Sequence, residues 1–106
     1  MSVLHITIKD KVQTIALPAL FNSQALQEFE AESKTWLLGD ANMFVLDFKK
    51  VTALSNNEYR VLLSFCTTAN RAEKKVVSVH ISSTLQKQLK KDGVIDKFNI
   101  FDLRPA

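Results

Sequence analysis

The sequence predicts a single α/β domain over residues 1–106, with a mixed, mostly parallel sheet of about five strands and three helices. Segments rich in β-branched residues alternate with segments whose apolar residues recur at helical spacing. Strands that alternate with helices imply a parallel sheet with right-handed crossovers. The run Met43-Phe44-Val45-Leu46 is continuously apolar, which is typical of a strand covered on both faces.

The elements follow one another in the order β-β-α-β-α-β-α-β. We expect strands at residues 3–8, 12–17, 43–48, 76–81 and 98–101. The first two are expected to be antiparallel, because only the short polar turn 9–11 joins them. We expect Asn22-Ser23 to cap the first helix, which ends near Gly39, and the second helix to run from about Asn56 to Ala72. Ser82 or Ser83 is expected to cap the third helix, which Asp92-Gly93 ends.

The second of these helices is the most apolar, so we expect it to be well buried. Tyr59, Leu62 and Cys66 fall on one side of it, and Val61 and Phe65 widen that apolar side. In the third helix the apolar positions are Leu85 and Leu89, and the lysines face outward.

Composition excludes several classes of protein. Apolar residues make up 46% and charged residues 24%, which is ordinary for a globular domain and excludes a disordered chain. The one cysteine, Cys66, excludes an intramolecular disulfide and a zinc site built on several thiols. No signal peptide is visible, and the longest apolar run is far shorter than a membrane span. We therefore expect a cytoplasmic protein without direct membrane insertion.

The charge pattern does not favour nucleic acid as a partner. The net charge is only +3. Lys87, Lys90 and Lys91 cluster on the third helix, but no aromatic residues alternate with them as in single-strand binding surfaces. A solvated face, or a docking patch for an acidic protein, is the better interpretation.

Neither metal binding nor catalysis has a specific signature. His5 and His80 lie in separate strands with no cluster of other ligands at fixed spacing. Cys66 falls on the buried side of its helix, whereas a nucleophilic thiol needs an exposed, electropositive setting. A Gly-rich phosphate loop, a paired-carboxylate motif and a nucleophile elbow are all absent. The sequence favours a protein with no enzymatic activity, metal or cofactor; a small enzyme using Cys66 or a histidine is the weaker hypothesis.

Ser55-Asn56-Asn57-Glu58 fits the Ser-x-x-Glu capping box at the start of the second helix. In one interpretation Ser55 is only the helix cap. In the alternative Ser55 is a phosphorylation site. A role for this loop as a partner-contact surface is compatible with both.

Asp47 and Thr52 flank the connection between the central strand and the second helix. Asp47 ends the strand at the edge where α/β sheets place ligands. We expect both residues to organise the loop, Asp47 by accepting hydrogen bonds from loop amides. The alternative is a sensor that holds a nucleotide or lipid near these two side chains.

Residues 43–63 resemble the signature region of STAS domains, the sulphate-transporter and anti-sigma-factor-antagonist modules. That pattern is an apolar strand, an Asp, a short loop, an Asp-Ser-Ser/Ala-Gly turn and an apolar helix. Residues 89–101 resemble the third helix, the Gly-containing turn and the last strand of the family. The order and spacing of elements match over nearly the whole chain.

Two features depart from the family pattern. Ser55 stands at the family's Asp, and Asn56 at the serine that a partner kinase phosphorylates; Glu58 stands at the Gly. Glu58 places a negative charge where a phosphate would have to sit. The residues after Phe101 are also too few for the family's C-terminal helix, which we expect to be missing.

The resemblance implies a bacterial, non-enzymatic signalling module that binds a regulatory protein, either an anti-sigma factor or a kinase-like protein. It places the contact on loop 53–57 and the following helix, with the binding residues Ser55, Asn56, Asn57, Glu58 and Arg60. It also allows a homodimer. The open alternatives are a small-ligand sensor, a soluble STAS subunit of a membrane transporter complex, and an antagonist switched by phosphorylation of Ser55.

Overall fold

A computed structural model describes residues 4–19, 23–98 and 100. Within these ranges the strands are β1 (His5–Lys9), β2 (Val12–Ala16), β3 (Met43–Asp47) and β4 (Lys75–Val79). The helices are α1 (Ser23–Leu38), α2 (Asn56–Arg71) and α3 (Ser83–Lys91), followed by a 3-10 turn, Ile95–Lys97. The sheet order is β1-β2-β3-β4, antiparallel between β1 and β2 and parallel elsewhere, which confirms the predicted α/β class.

A two-residue turn joins β1 to β2. Its central residues, Asp10 and Lys11, both have positive φ, at 51° and 65°. Positive φ at both positions defines a type I′ turn, whose twist matches that of the two strands. The register places Lys9 opposite Val12 and Thr7 opposite Thr14.

The hydrophobic core lies on one face of the sheet. In β2, Ile15 is buried, and its register partner in β3, Leu46, is buried as well. Phe44, on the same face, is fully buried too. The alternate residues Thr14 and Val45 are only half-buried. Buried residues of all three helices belong to the same core cluster as Phe44 and Leu46.

Aromatic rings join α1 and α2 to the sheet. The Phe65 ring of α2 meets Phe44 of β3 and Phe29 of α1 at centroid distances of 5.2 and 5.3 Å, both in edge-to-face geometry. Trp36 completes the cluster, 5.2 Å from Phe29. Such edge-to-face pairs add to the free energy of burying the rings themselves. They fix α2 over the centre of the sheet, and so position its N-terminus.

Three details differ from the predictions. The strand expected at residues 98–101 is reduced to one parallel bridge between Ile100 and Ser78; Asn99 and residues 101–106 lie outside the described residues. The strand β3 is fully covered on one face rather than on both, because the core forms on one side of the sheet. Finally, β4 ends at Val79, since His80 adopts a left-handed conformation with φ of 59° as the chain turns toward α3.

The described residues include no helix long and apolar enough to cross a membrane.

Candidate functional site

The candidate site is the N-terminus of α2 with the loop that precedes it. Ser55 is the N-cap, with φ of −85° and ψ of 171°. Its Oγ accepts a hydrogen bond from the Glu58 N–H at 3.4 Å, and its own N–H donates to Glu58 Oε1 at 3.1 Å. The capping box predicted from Ser-x-x-Glu is therefore confirmed, and it satisfies two backbone donors that the helix itself leaves unpaired.

Helix α3 supports the loop through the side chain of Gln88. The Gln88 side chain donates to the Leu54 carbonyl at 2.6 Å and accepts from the Leu54 N–H at 3.2 Å. Leu54 is also buried, at 4% exposure. The residue before the cap is thus fixed by both of its backbone groups and by its side chain.

A second contact joins α2 to the end of α3. The Tyr59 hydroxyl donates to Asp92 Oδ2 at 2.6 Å. Burial raises the pKa of Tyr59 well above its ordinary value of 10, and the hydrogen bond to the Asp92 carboxylate raises this pKa further. Tyr59 therefore stays protonated, and its hydroxyl remains a donor throughout the physiological range.

Asp47 and His80 meet at the carboxyl ends of β3 and β4. Asp47 Oδ1 accepts from the Lys49 N–H and lies 2.9 Å from His80 Nδ1. The first of these contacts turns the chain into loop 49–54, and the second ties that loop to the start of the β4–α3 connection. His80 also has positive φ, a conformation that costs energy for a residue with a Cβ.

The first turn of α2 and the loop before it are exposed to solvent. Ser55, Asn56, Asn57 and Arg60 are exposed, and Glu58 is half-buried. Thr52 is exposed within the loop. The capped turn thus presents an uncharged amide surface formed by Asn56 and Asn57, with Arg60 beside it.

A cavity of about 790 Å³ runs along the exposed side of α2 toward the 3-10 turn. Its charged lining residues are Arg60, Lys75, Asp96 and Lys97. A second, smaller cavity lies between α1 and α2. Neither includes Asp47 or Thr52, so these two cavities give no support to a ligand held at that strand end.

Cys66 lies inside the fold, on the sheet side of α2. Its exposure is 8%, and burial raises the pKa of its thiol to about 11. A thiol with that pKa is almost entirely protonated at neutral pH and is a poor nucleophile. Within residues 4–19, 23–98 and 100, no group of three or more His, Cys, Asp or Glu is placed to hold a metal ion.

Sequence reasoning missed the residues that support the site from a distance. The sequence predicts no role at the site for Gln88 or Asp92, and it predicts His80 in a strand. All three contact the site across more than thirty residues of chain. No local pattern marks such pairs, because they exist only once α3 packs beside α2.

Comparison with solved structures identifies the fold. The anti-sigma factor antagonist SpoIIAA, in its unphosphorylated form, matches with a TM-score of 0.80 and 12% identity, covering 96% of this chain and 89% of that chain. RsbS of Moorella thermoacetica matches with a TM-score of 0.82 and 15% identity, covering 97% and 89%. The chain has the STAS fold. The resemblance carried by residues 43–63 is thereby confirmed as far as the fold is concerned.

A third match comes from a much longer protein. The structure of SLC26A9 matches with a TM-score of 0.62 and 16% identity, covering 87% of this chain but only 18% of that chain. No family model and no curated protein sequence matches this chain. Sequence identities this low show a shared fold and not a shared function. It stays a prediction that a partner binds to Ser55, Asn56, Asn57, Glu58 and Arg60.

Proposed function

We propose that this STAS domain is a non-enzymatic, cytoplasmic interaction module of the antagonist type. In this proposal it binds a regulatory protein through loop 53–57 and the exposed face of α2. The observation that carries the proposal is the rigid support of an exposed helix N-terminus. The capping box, Gln88 and Asp92 all hold the turn, while Asn56 and Asn57 face solvent. A pre-organised surface loses little conformational entropy when it binds.

The chemistry of this surface favours a partner that offers hydrogen-bond acceptors. A helix N-terminus carries unpaired backbone N–H groups and the positive end of the helix dipole. The side-chain amides of Asn56 and Asn57 add donors, and Arg60 adds one positive charge. Backbone carbonyls or carboxylates at a helix end or loop of the partner would match these groups.

We further propose that binding is not switched by phosphorylation at this turn. SpoIIAA has been solved in an unphosphorylated and a phosphorylated form. Here the position that resembles the family's acceptor is Asn56, which has no hydroxyl. The Ser55 hydroxyl is occupied in the capping box, and the Glu58 carboxylate lies within hydrogen-bond distance of the Ser55 N–H. A phosphate on Ser55 would break the cap and face a like charge.

The test is site-specific photo-crosslinking followed by titration. A photoreactive amino acid at position 57 should capture the partner in the native cell, and mass spectrometry would identify the adduct. The purified partner is then titrated with the wild-type domain and with Asn57→Asp. We expect Asn57→Asp to weaken binding roughly tenfold or more, because a carboxylate of the same size replaces the amide donor and repels the acceptor groups of the partner.

Asn42→Asp is the matched control. Asn42 is exposed and directly precedes β3, at the opposite end of that strand from loop 53–57. Asn42→Asp should leave the affinity unchanged, and neither variant should lower the melting temperature. Equal affinity for Asn57→Asp and wild type would place the interface elsewhere, most directly on the basic face of α3.

The second candidate function is a STAS subunit of a membrane transporter complex, favoured by the likeness to part of SLC26A9. It uses the same surface and differs in the chemistry of the partner. A membrane-embedded protein in the adduct at position 57 supports this candidate, and a non-membrane regulatory protein supports the first.

A further inference from the structure

The outer edge of β1 is exposed along its whole length. Every residue from His5 to Lys9 is exposed, and among the described residues no strand pairs with this edge. Ile6 and Ile8 are 38% and 66% exposed, which is unusual for large apolar side chains in a sheet. Both lie on the helix-bearing face, since Ile6 is opposite Ile15 and Ile8 is opposite Gln13.

The hairpin geometry determines which backbone groups point outward. In a two-residue hairpin the residues that flank the turn form a hydrogen-bonded pair, here Lys9 and Val12. Pairs then alternate, so Thr7 and Thr14 are hydrogen-bonded whereas Ile6 and Ile8 are not. The N–H and C=O groups of Ile6 and Ile8 therefore point away from β2, toward solvent.

We propose that this edge pairs with the same edge of a second copy of this chain, antiparallel and centred on Thr7. In that register Ile6 lies opposite the partner's Ile8, and Thr7 lies opposite the partner's Thr7. Each outward N–H of Ile6 and Ile8 then donates to an outward carbonyl of the other copy. The isoleucines of both chains form one apolar cluster on the helix-bearing face.

A second copy is favoured because the strand is complementary to itself. Its isoleucines are symmetric about Thr7, so the two-fold axis of a dimer places each outward donor opposite an acceptor and each isoleucine opposite an isoleucine. His5 faces the partner's Lys9, which brings no pair of carboxylates or lysines together. Sheets that avoid such pairing protect their edges with Pro, bulges or inward-facing charges. The strand His5–Lys9 has no Pro, and its lysine is at the end.

This inference goes beyond the proposed function and does not depend on it. In the sheet order, β2 separates β1 from β3, and α2 follows β3. Pairing at the β1 edge therefore leaves the α2 surface free on each copy. A contact limited to one short strand buries less than a standard protein interface, so we expect a weak dimer that forms at high concentration.

Disulfide trapping tests the register. In a Cys66→Ala background, Thr7→Cys places two thiols opposite each other in a non-hydrogen-bonded pair, with Cα atoms about 4.5 Å apart. That separation lies within the disulfide range. The matched control is His5→Cys, on the same face of the same strand, for which the Cα atoms would be about 14 Å apart. We expect an oxidised dimer for Thr7→Cys and none for His5→Cys.

Sedimentation of the unmodified chain tests the dimer itself. The wild type should shift toward dimer as its concentration rises from about 10 µM to about 1 mM, and Ile8→Lys should remain monomeric with an unchanged melting temperature. A wild type that stays monomeric over this range overturns the proposal. Equal crosslinking of the two cysteine variants overturns the register. If the chain stays monomeric and its β1 edge captures a strand from another protein, that strand and not a second copy is the occupant.

Discussion

At the scale of single residues, Gln13 stands out as a polar side chain in an apolar position. It is 3% exposed, on the same face of the sheet as Phe44, its register partner. Its side-chain nitrogen is buried and has no hydrogen-bond partner among the described residues. A buried amide nitrogen without a partner loses its hydration and gains no hydrogen bond in return.

Gln13→Met should therefore stabilise the domain. Methionine has a similar length and no polar group to desolvate, so we expect the free energy of unfolding to rise by about 1–2 kcal/mol. Urea denaturation of the two proteins measures it. Gln13→Glu is the control and should be strongly destabilising, since it buries a charge in the same space. Equal or lower stability of Gln13→Met would mean that a bound water satisfies the amide.

Ser55 is the residue on which regulation depends. If it acts only as a cap, Ser55→Ala should lower the free energy of unfolding by about 1 kcal/mol, and Ser55→Asp should keep the cap. Ser83→Ala is the control and should cost less, because Ser82 rather than Ser83 accepts the capping hydrogen bond in α3. Chemical denaturation measures the stabilities.

Intact-mass spectrometry of the protein from its native cell tests the same prediction directly. We expect no adduct of about 80 Da at this turn, the mass of one phosphate. Asn56→Ser should not restore switching, because Glu58 keeps a negative charge within one turn of the new hydroxyl. An adduct mapped to Ser55 would contradict this and establish a phospho-switch one residue away from the family's position.

At the scale of secondary-structure elements, the β1–β2 turn is under conformational strain. Asp10 and Lys11 both occupy the left-handed region without being glycine. In this region the Cβ of lysine comes too close to the backbone and raises the energy of the folded state, whereas glycine has no Cβ. The turn sets the register of the two strands, and that register places Ile15 in the core. Burial of Ile15 therefore holds the turn in its strained conformation.

Lys11→Gly should relax this strain. The Asp-Gly pair is among the best sequences for a type I′ turn, and we expect an increase of about 1 kcal/mol in the free energy of unfolding. Thermal and urea denaturation both measure it. Lys9→Gly is the control, since Lys9 lies in the strand, where glycine destabilises. A destabilised Lys11→Gly would indicate that the lysine side chain makes a contact worth more than the strain.

At the scale of the whole molecule, the buried thiol makes stability depend on alkaline pH. Burial raises the pKa of Cys66 in the folded state to about 11, against an ordinary value of 9. Between these values the unfolded chain loses the thiol proton more readily than the folded one. The stabilising contribution is therefore complete below pH 9 and is lost as the pH rises through 11.

Cys66→Ala should flatten this dependence. We expect the wild-type free energy of unfolding to fall from pH 9 upward, and the decline between pH 9 and 10 to be smaller in Cys66→Ala. Urea denaturation in a series of buffers measures both curves. Above pH 10 the raised pKa of Tyr59 adds a decline in both proteins, and Tyr59→Phe isolates it. Parallel curves between pH 9 and 10 would show that Cys66 ionises equally in both states.

The elements and their local caps could be predicted from the order of residues alone. Strand and helix order follow from hydrophobic periodicity, and the capping box follows from Ser55 and Glu58, which interact within one turn of backbone. The burial of Phe44 and Leu46 follows from the apolar run that contains them. These features depend on neighbours along the chain, so the order of residues suffices to predict them.

The contacts that support the candidate site arise from the packing of elements that are distant in the chain. The support of Leu54 by Gln88, the Tyr59–Asp92 hydrogen bond and the Asp47–His80 contact each join segments more than thirty residues apart. The coverage of one sheet face, and the exposure of Ile6 and Ile8 at the β1 edge, follow from where the helices pack. A contact between distant segments depends on the packing of entire elements, and no local spacing of residues encodes that packing.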